Sequence, residues 1–215
     1  LSAGTSWDAF ILALDSTGRM HDVSMSFGGN GDDRAYDLAR NSDGLLVIAG
    51  ETTSDDLFPG TGLDLEPRAG DYNGFIAAID LVARGLVHAT YLGGSGDDAI
   101  FAVDIDSADA IYAAGETDSQ DFPVTPGAFA PDASEFKDAF ITKLSPSADS
   151  LIYSSYLGGS GYDRGLSLRV DAAGNAYLCG ETTSLDFPVT NAARNIPAGG
   201  LDAFAAKLLP DGASL

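Results

Sequence analysis

The sequence predicts an all-β protein of β-propeller blades: four-stranded antiparallel sheets repeated with a 65-residue period. Three observations predict it. A glycine-rich turn, Phe27-Gly28-Gly29-Asn30-Gly31-Asp32-Asp33, returns as Leu92-Gly93-Gly94-Ser95-Gly96-Asp97-Asp98 and again as Leu157-Gly158-Gly159-Ser160-Gly161-Tyr162-Asp163. Gly50-Glu51-Thr52 recurs at the same step as Gly115-Glu116-Thr117 and Gly180-Glu181-Thr182. Between these landmarks the chain alternates apolar and polar residues, and no segment sustains a helical period.

Each element follows from its residues. In the third copy Leu166, Leu168 and Val170 alternate with Ser167 and Arg169, a period of two that predicts a first strand. A tight turn follows over 171–175, where Asp171 can bond its own backbone and Gly174 tolerates positive φ. Ala176, Tyr177, Leu178 and Cys179 begin a second strand, and Ala203 to Leu208 read as a third. In the second copy Phe140 to Leu144 hold that third place. The turn Ser145 to Ala148 then leads into Leu151 to Leu157, a fourth strand. Its β-branched and aromatic content favours strand over helix. Strands two and three are joined by a long loop through Phe58-Pro59, Phe122-Pro123 and Phe187-Pro188, which predicts a surface connection.

These residues resemble a known family. Tyr153 to Gly161, Val170 to Tyr177, Gly180 to Pro188 and Asp202 to Lys207 are similar to the SBBP repeat, a presumed β-propeller repeat, in order and spacing. The resemblance runs over nearly the whole chain in three copies. It implies a module of large bacterial exported or surface proteins, with no catalytic residue set to carry over. The first copy departs from the pattern, with Asn30 for Ser and His21 to Ser26 in place of the Tyr-rich strand.

The resemblance also implies that the strand before the Val-Asp turn is innermost. The chain then forms a single repeat array over 1–215: a partial blade 1–33, blades 34–98 and 99–163, and a partial blade 164–215. That is thirteen strands in groups of two, four, four and three. The expectation is a slice of a longer array, or a protomer of a larger ring or fibre, because terminal blade faces need neighbours. The start at Leu1, without Met or signal peptide, fits a processed or excised piece.

Composition bounds the function. The 215 residues are 45% hydrophobic, enough for a core. Eleven Lys and Arg oppose 32 Asp and Glu, giving −21, which repels nucleic acid and anionic membranes. One cysteine, Cys179, rules out an internal disulfide, and no apolar run is long enough for a transmembrane helix. Two histidines, His21 and His88, and Cys179 form no nucleophile–base pair and no zinc set, so no enzyme is expected. Cys179 aligns with Ala49 and Ala114 and reads as a small buried residue.

The recurring carboxylates are the candidate metal ligands: Asp32, Asp33, Asp97, Asp98, Asp163, Glu51, Glu116 and Glu181. Ca²⁺ takes six to eight oxygens, and a Gly-rich loop with adjacent Asp offers both carboxylates and carbonyls. The competing reading gives each Asp to turn amides and each Glu to a lysine: Lys143 and Lys207 stand in the strands next to Glu116 and Glu181, while Ala78 stands beside Glu51. Asp37, Ala102 and Ser167, with Ala39, Asp104 and Arg169, are candidates to line a central channel. Phe122 and its neighbours in the long loop either bind a glycan or partner or plug the gap between blades. The expected function is a non-enzymatic exported or cell-surface module: a scaffold, adhesion or assembly unit, Ca²⁺-stabilised. Its partners are neighbouring blades or copies of itself, or a surface glycan or protein. The alternatives are a polysaccharide-binding or polysaccharide-cleaving propeller and the protomer of a self-assembling ring or fibre.

Overall fold

A computed structural model of the chain describes residues 6–57, 72–190 and 199–215. Among them there are thirteen strands and no helix. β1 (Ala9–Leu14) and β2 (Met20–Phe27) form a two-stranded sheet. β3 (Asp33–Arg40), β4 (Leu46–Thr52), β5 (Asn73–Asp80) and β6 (Gly85–Leu92) form a four-stranded sheet in that order. β7 (Asp98–Ile105), β8 (Ile111–Thr117), β9 (Asp138–Leu144) and β10 (Leu151–Leu157) form a second. β11 (Asp163–Val170), β12 (Ala176–Thr182) and β13 (Asp202–Leu208) form the last, three-stranded sheet. Every pairing is antiparallel between sequential strands, the meander expected of propeller blades.

The sheets pack face to face. β7 lies against β3 and β4, and β11 lies against β7 and β8. Three apolar clusters fill the junctions. Ile11 meets Ile48, Phe75 and Ala77; Val47, Ala49 and Ile76 meet Ile100, Ile111 and Phe140; Tyr112, Ala114 and Ile141 meet Leu168, Leu178 and Leu208. Period two makes this possible, because one strand supplies alternate residues to the sheets on either side. Burying both faces explains why β5 and β8 are buried almost throughout, their polar residues included at the strand ends.

The predicted alternation in β11 fails at one point. Leu166 is exposed while Leu168 is buried. The register shifts between Gly165 and Ser167, and the same shift falls between Ala35 and Asp37 and between Ile100 and Ala102. A β-bulge holds one extra residue and re-aims it. Tyr36, Phe101 and Leu166 are those residues, and the Tyr36 and Phe101 rings meet at 5.3 Å across neighbouring sheets.

The long loop after β8 covers an edge. Thr125 N–H donates to Ser154 carbonyl (3.1 Å), and Tyr156 N–H donates to Ala130 carbonyl (3.2 Å). The outer edge of β10 is thus paired, as an exposed edge needs to be. Phe122 in this loop is buried against Phe140 and Tyr156, with centroids at 4.5 and 5.9 Å, and joins the core between two sheets. Phe187 does the same against Phe204. Phe58-Pro59 lies outside the described residues.

Candidate functional site

The Gly-Gly-x-Gly turn carries the chain from the last strand of one sheet to the first strand of the next, and it concentrates the recurring carboxylates. Four successive amides point outward from it, and the protein supplies an acceptor for each. In the first copy Asp33 Oδ2 accepts from Gly29 N–H (2.7 Å), Asp56 Oδ1 from Asn30 (2.7 Å), Ser54 Oγ from Gly31 (2.8 Å) and Thr53 Oγ1 from Asp32 (2.7 Å). The second copy repeats the set with Asp98, Asp121, Ser119 and Asp118. The third uses Asp163, Asp186, Ser184 and Thr183. The serine closes the ring by donating to the buried Asp: Ser54 to Asp33 (3.1 Å), Ser119 to Asp98 (3.0 Å), Ser184 to Asp163 (2.7 Å). Side chains thus serve amides that no strand partner reaches.

Asp32 and Asp97 face the preceding sheet. Asp32 Oδ1 accepts from Trp7 N–H (3.0 Å) and Asp97 Oδ1 from Tyr72 N–H (3.1 Å). Tyr162, which replaces them in the third copy, packs its ring against Phe136 at 5.5 Å instead. The structure therefore places Asp32, Asp33, Asp97, Asp98 and Asp163 in turn-closing roles. Among the described residues, no three His, Cys, Asp or Glu side chains converge where an ion would sit.

The glutamates take partners that the strand order alone does not give. Lys143 does not reach Glu116; it pairs with Asp106 (3.0 Å), over the Tyr112 ring. Register explains this, since Lys143 lies opposite Tyr112 and Glu116 lies opposite Ala139. Glu116 is held by Lys137 (3.0 Å) and by Arg164 of the next sheet. Burial works against its charge, but the hydrogen bonds from Arg164 and Lys137 outweigh it and hold the carboxyl below its ordinary range. Arg164 also reaches Glu181 (3.4 Å), so it bridges two sheets. Lys207 lies over the Tyr177 ring at 5.5 Å. Glu51, expected to lack a partner beside Ala78, receives Arg34 (2.6 Å) and the Tyr36 hydroxyl (2.7 Å).

The proposed channel positions also bond between sheets. Asp37 Oδ2 accepts from Val103 N–H (3.0 Å), and Asp104 Oδ2 from Val170 N–H (2.8 Å). Each satisfies an amide on the free inner edge of the next sheet. Arg169 turns back to the Leu168 carbonyl (2.6 Å). Cys179 is exposed, not buried: Ala49 and Ala114 are covered by a following sheet, and no described residue covers the last one. His88 is half-buried, and burial pushes its pKa down. The His21 side chain lies outside the described set.

One cleft is a candidate ligand site. It encloses about 430 Å³ and is lined by Gln120, Asp132, Ser134, Glu135, Asp138, Tyr156, Ser160 and Asp186. It sits where the loop before β9 meets the turn into β11. Asp138 and Gly158 line it side by side, and a Cβ on Gly158 would lie 2.3 Å from Asp138 Oδ1 and 2.6 Å from the buried Asp163 Oδ2. Only glycine leaves room for both. Burial, with the Asp163 charge adding to it, pushes Asp138 up to about 6. The Ser160 amide holds Asp186 below its ordinary range. Hydroxyls, carboxylates and one Tyr ring suit a polar or cationic ligand, and the Ser160 hydroxyl donates to Asp186 Oδ1 (2.9 Å). Sequence reading missed this cleft because Asp132, Glu135 and Asp138 belong to one sheet and Asp186 to the next.

No match to the chain is found among curated proteins. Residues 152–188, from β10 to the Phe187-Pro188 corner, match the SBBP family model, a beta-propeller repeat.

Proposed function

We propose that this propeller module is a non-enzymatic assembly unit, a scaffold or adhesion element of an exported or cell-surface protein. One observation carries the reading: its recurring polar residues are used inside, while its two end sheets present apolar faces. Phe10 is 74% exposed, whereas Phe75 and Phe140, at the same repeat position, are 0% exposed. Leu12 and Leu14 lie exposed beside it. At the other end Tyr177 is 43% exposed where Tyr112 is 0%, with Cys179 beside it. These are the positions that fill the junctions inside the chain, so the two ends suit a neighbouring blade or another copy. The strongly acidic composition and single cysteine are compatible with an exported protein. Light scattering across a concentration series tests the assembly role. Reversible association is expected, weakened by Phe10→Ser; a monomer at high concentration would count against it.

A further inference from the structure

Asp138 is a buried carboxylate without a countercharge. It is 3% exposed, and the Ser134 amide donates to its Oδ2 (2.7 Å). Oδ1 takes no hydrogen bond among the described residues, and it faces Gly158 in the wall of the cleft. The charge that acts on it is another carboxylate, Asp163. Glu116, at 5% exposed, is buried as deeply, but Lys137 and Arg164 both pair with it. A buried carboxylate with neither a cation nor full hydrogen bonding is costly. A cation entering the cleft supplies what the chain does not.

The rest of the cleft selects the kind of cation. Its carboxylates are Asp132, Glu135, Asp138 and Asp186, and no Lys or Arg lines it. Charge therefore favours a cation over a neutral sugar. A single metal ion fits poorly, because among the described residues no three such side chains converge. The acceptors stand apart instead. Asp138 Oδ1 lies by the Cβ position of Gly158, at 2.3 Å, and Asp186 Oδ1 by that of Gly159, at 2.5 Å. Neighbouring Cα atoms lie about 3.8 Å apart, so one short alkyl chain spans the two carboxylates. Ala130, Ala133 and the Tyr156 ring complete the wall and suit methylene groups. The volume of about 430 Å³ admits a small ligand. The walls are also clamped: the Phe136 and Tyr162 rings meet at 5.5 Å across the two elements that form them. The other copies hold Ser6 or Asp71, and Asp32 or Asp97, at those positions and lack the rings to make this contact. Walls fixed in advance lower the cost of binding.

We propose that this cleft binds a short aliphatic polyamine. One ammonium sits on Asp138 and the next on Asp186, with the methylenes between them over Ala130, Ala133 and Tyr156. Each ammonium brings only donors, and the carboxylates bring only acceptors. Neither end sheet takes part, so the site stands or falls apart from the assembly reading.

Calorimetric titration of the purified chain with 1,4-diaminobutane at fixed ionic strength tests the site. Saturable binding is expected at pH 7.5, roughly ten-fold tighter than for butylamine. The neutral counterpart, 1,4-butanediol, should not bind. Asp138→Asn should weaken diamine binding roughly ten-fold. The fold accommodates Asn there, since Asn73 opens β5 at the same repeat position. A second readout is pH. Burial, and then the Asp163 charge, pushes Asp138 up to about 6, while the amines stay charged. Affinity should fall roughly three-fold from pH 7.5 to 5.5 in the parent chain and stay level in Asp138→Asn. No saturable binding, equal affinity for butylamine, equal affinity in Asp138→Asn, or a parent affinity indifferent to pH would each overturn the proposal.

Discussion

Asp98 shows why the same carboxylate recurs behind each glycine turn. It is fully buried, accepts from Gly94 N–H and Ser119 Oγ, and leaves Oδ1 without a partner. Burial pushes it up to about 6, against 3.8 for a free side chain, and Asp138 is pushed up to about 6 as well. Between those values the folded chain binds more protons than the unfolded chain. These two residues therefore stabilise the fold increasingly as pH falls from 6 to 4. Other carboxylates act oppositely: Asp171, held at about 2 by Asn175, and Glu116 lose their contribution as pH falls below about 4. Stability is expected to be greater at pH 5 than at pH 7, and to fall again in stronger acid. Asp98→Asn should remove its share of the difference, about 1 kcal/mol. Urea midpoints at pH 5 and 7 check this; an unchanged difference in Asp98→Asn would refute it.

At the scale of the element, the bulge and its facing glycine form one device. Gly50, Gly115 and Gly180 face the residues just before the bulge in the first strand. A Cβ on any of them would lie 1.8 Å from the carbonyl oxygen of Arg34, Ala99 or Arg164. The obstacle is backbone and cannot swing aside, so Gly115→Ala should cost about 3 kcal/mol. Gly85→Ala is the control, because nothing stands within 4 Å there. Thermal melts should show a large loss for the first and little change for the second. This device was half legible. The recurring Gly50-Glu51-Thr52 pattern marked the place, and alternation found the strands. The bulge itself was not legible, since one inserted residue leaves composition unchanged and only shifts facing side chains. Ion pairs were misread for a related reason. Glu116 and Arg164 stand 48 residues apart and meet only when two sheets stack, whereas Lys143 is near in strand order but opposite the wrong residue.

For the whole molecule, the excess of acid sets how ions act on it. Thirty-two carboxylates against eleven basic residues leave −21, and among the described residues no three of them gather at one point. Composition alone made a Ca²⁺ site a fair expectation. Sequence could not reveal that the glycine-turn amides, Trp7, Tyr72, Arg34, Lys137 and Arg164 take many of those oxygens, while Asp98 Oδ1 and Asp163 Oδ1 are left without a partner. Cations should therefore stabilise the chain by screening self-repulsion, which acts over about 10 Å at 0.1 M ionic strength. The melting temperature is expected to rise smoothly with salt, and millimolar Ca²⁺ and Mg²⁺ at equal ionic strength should raise it equally. Calorimetric melts with each ion, and with chelator, separate the two cases. A rise specific to Ca²⁺ would point to a dedicated site. Asp138→Asn would then test the cleft for it, because carboxylates of two sheets, Asp138 and Asp186, line a common space there.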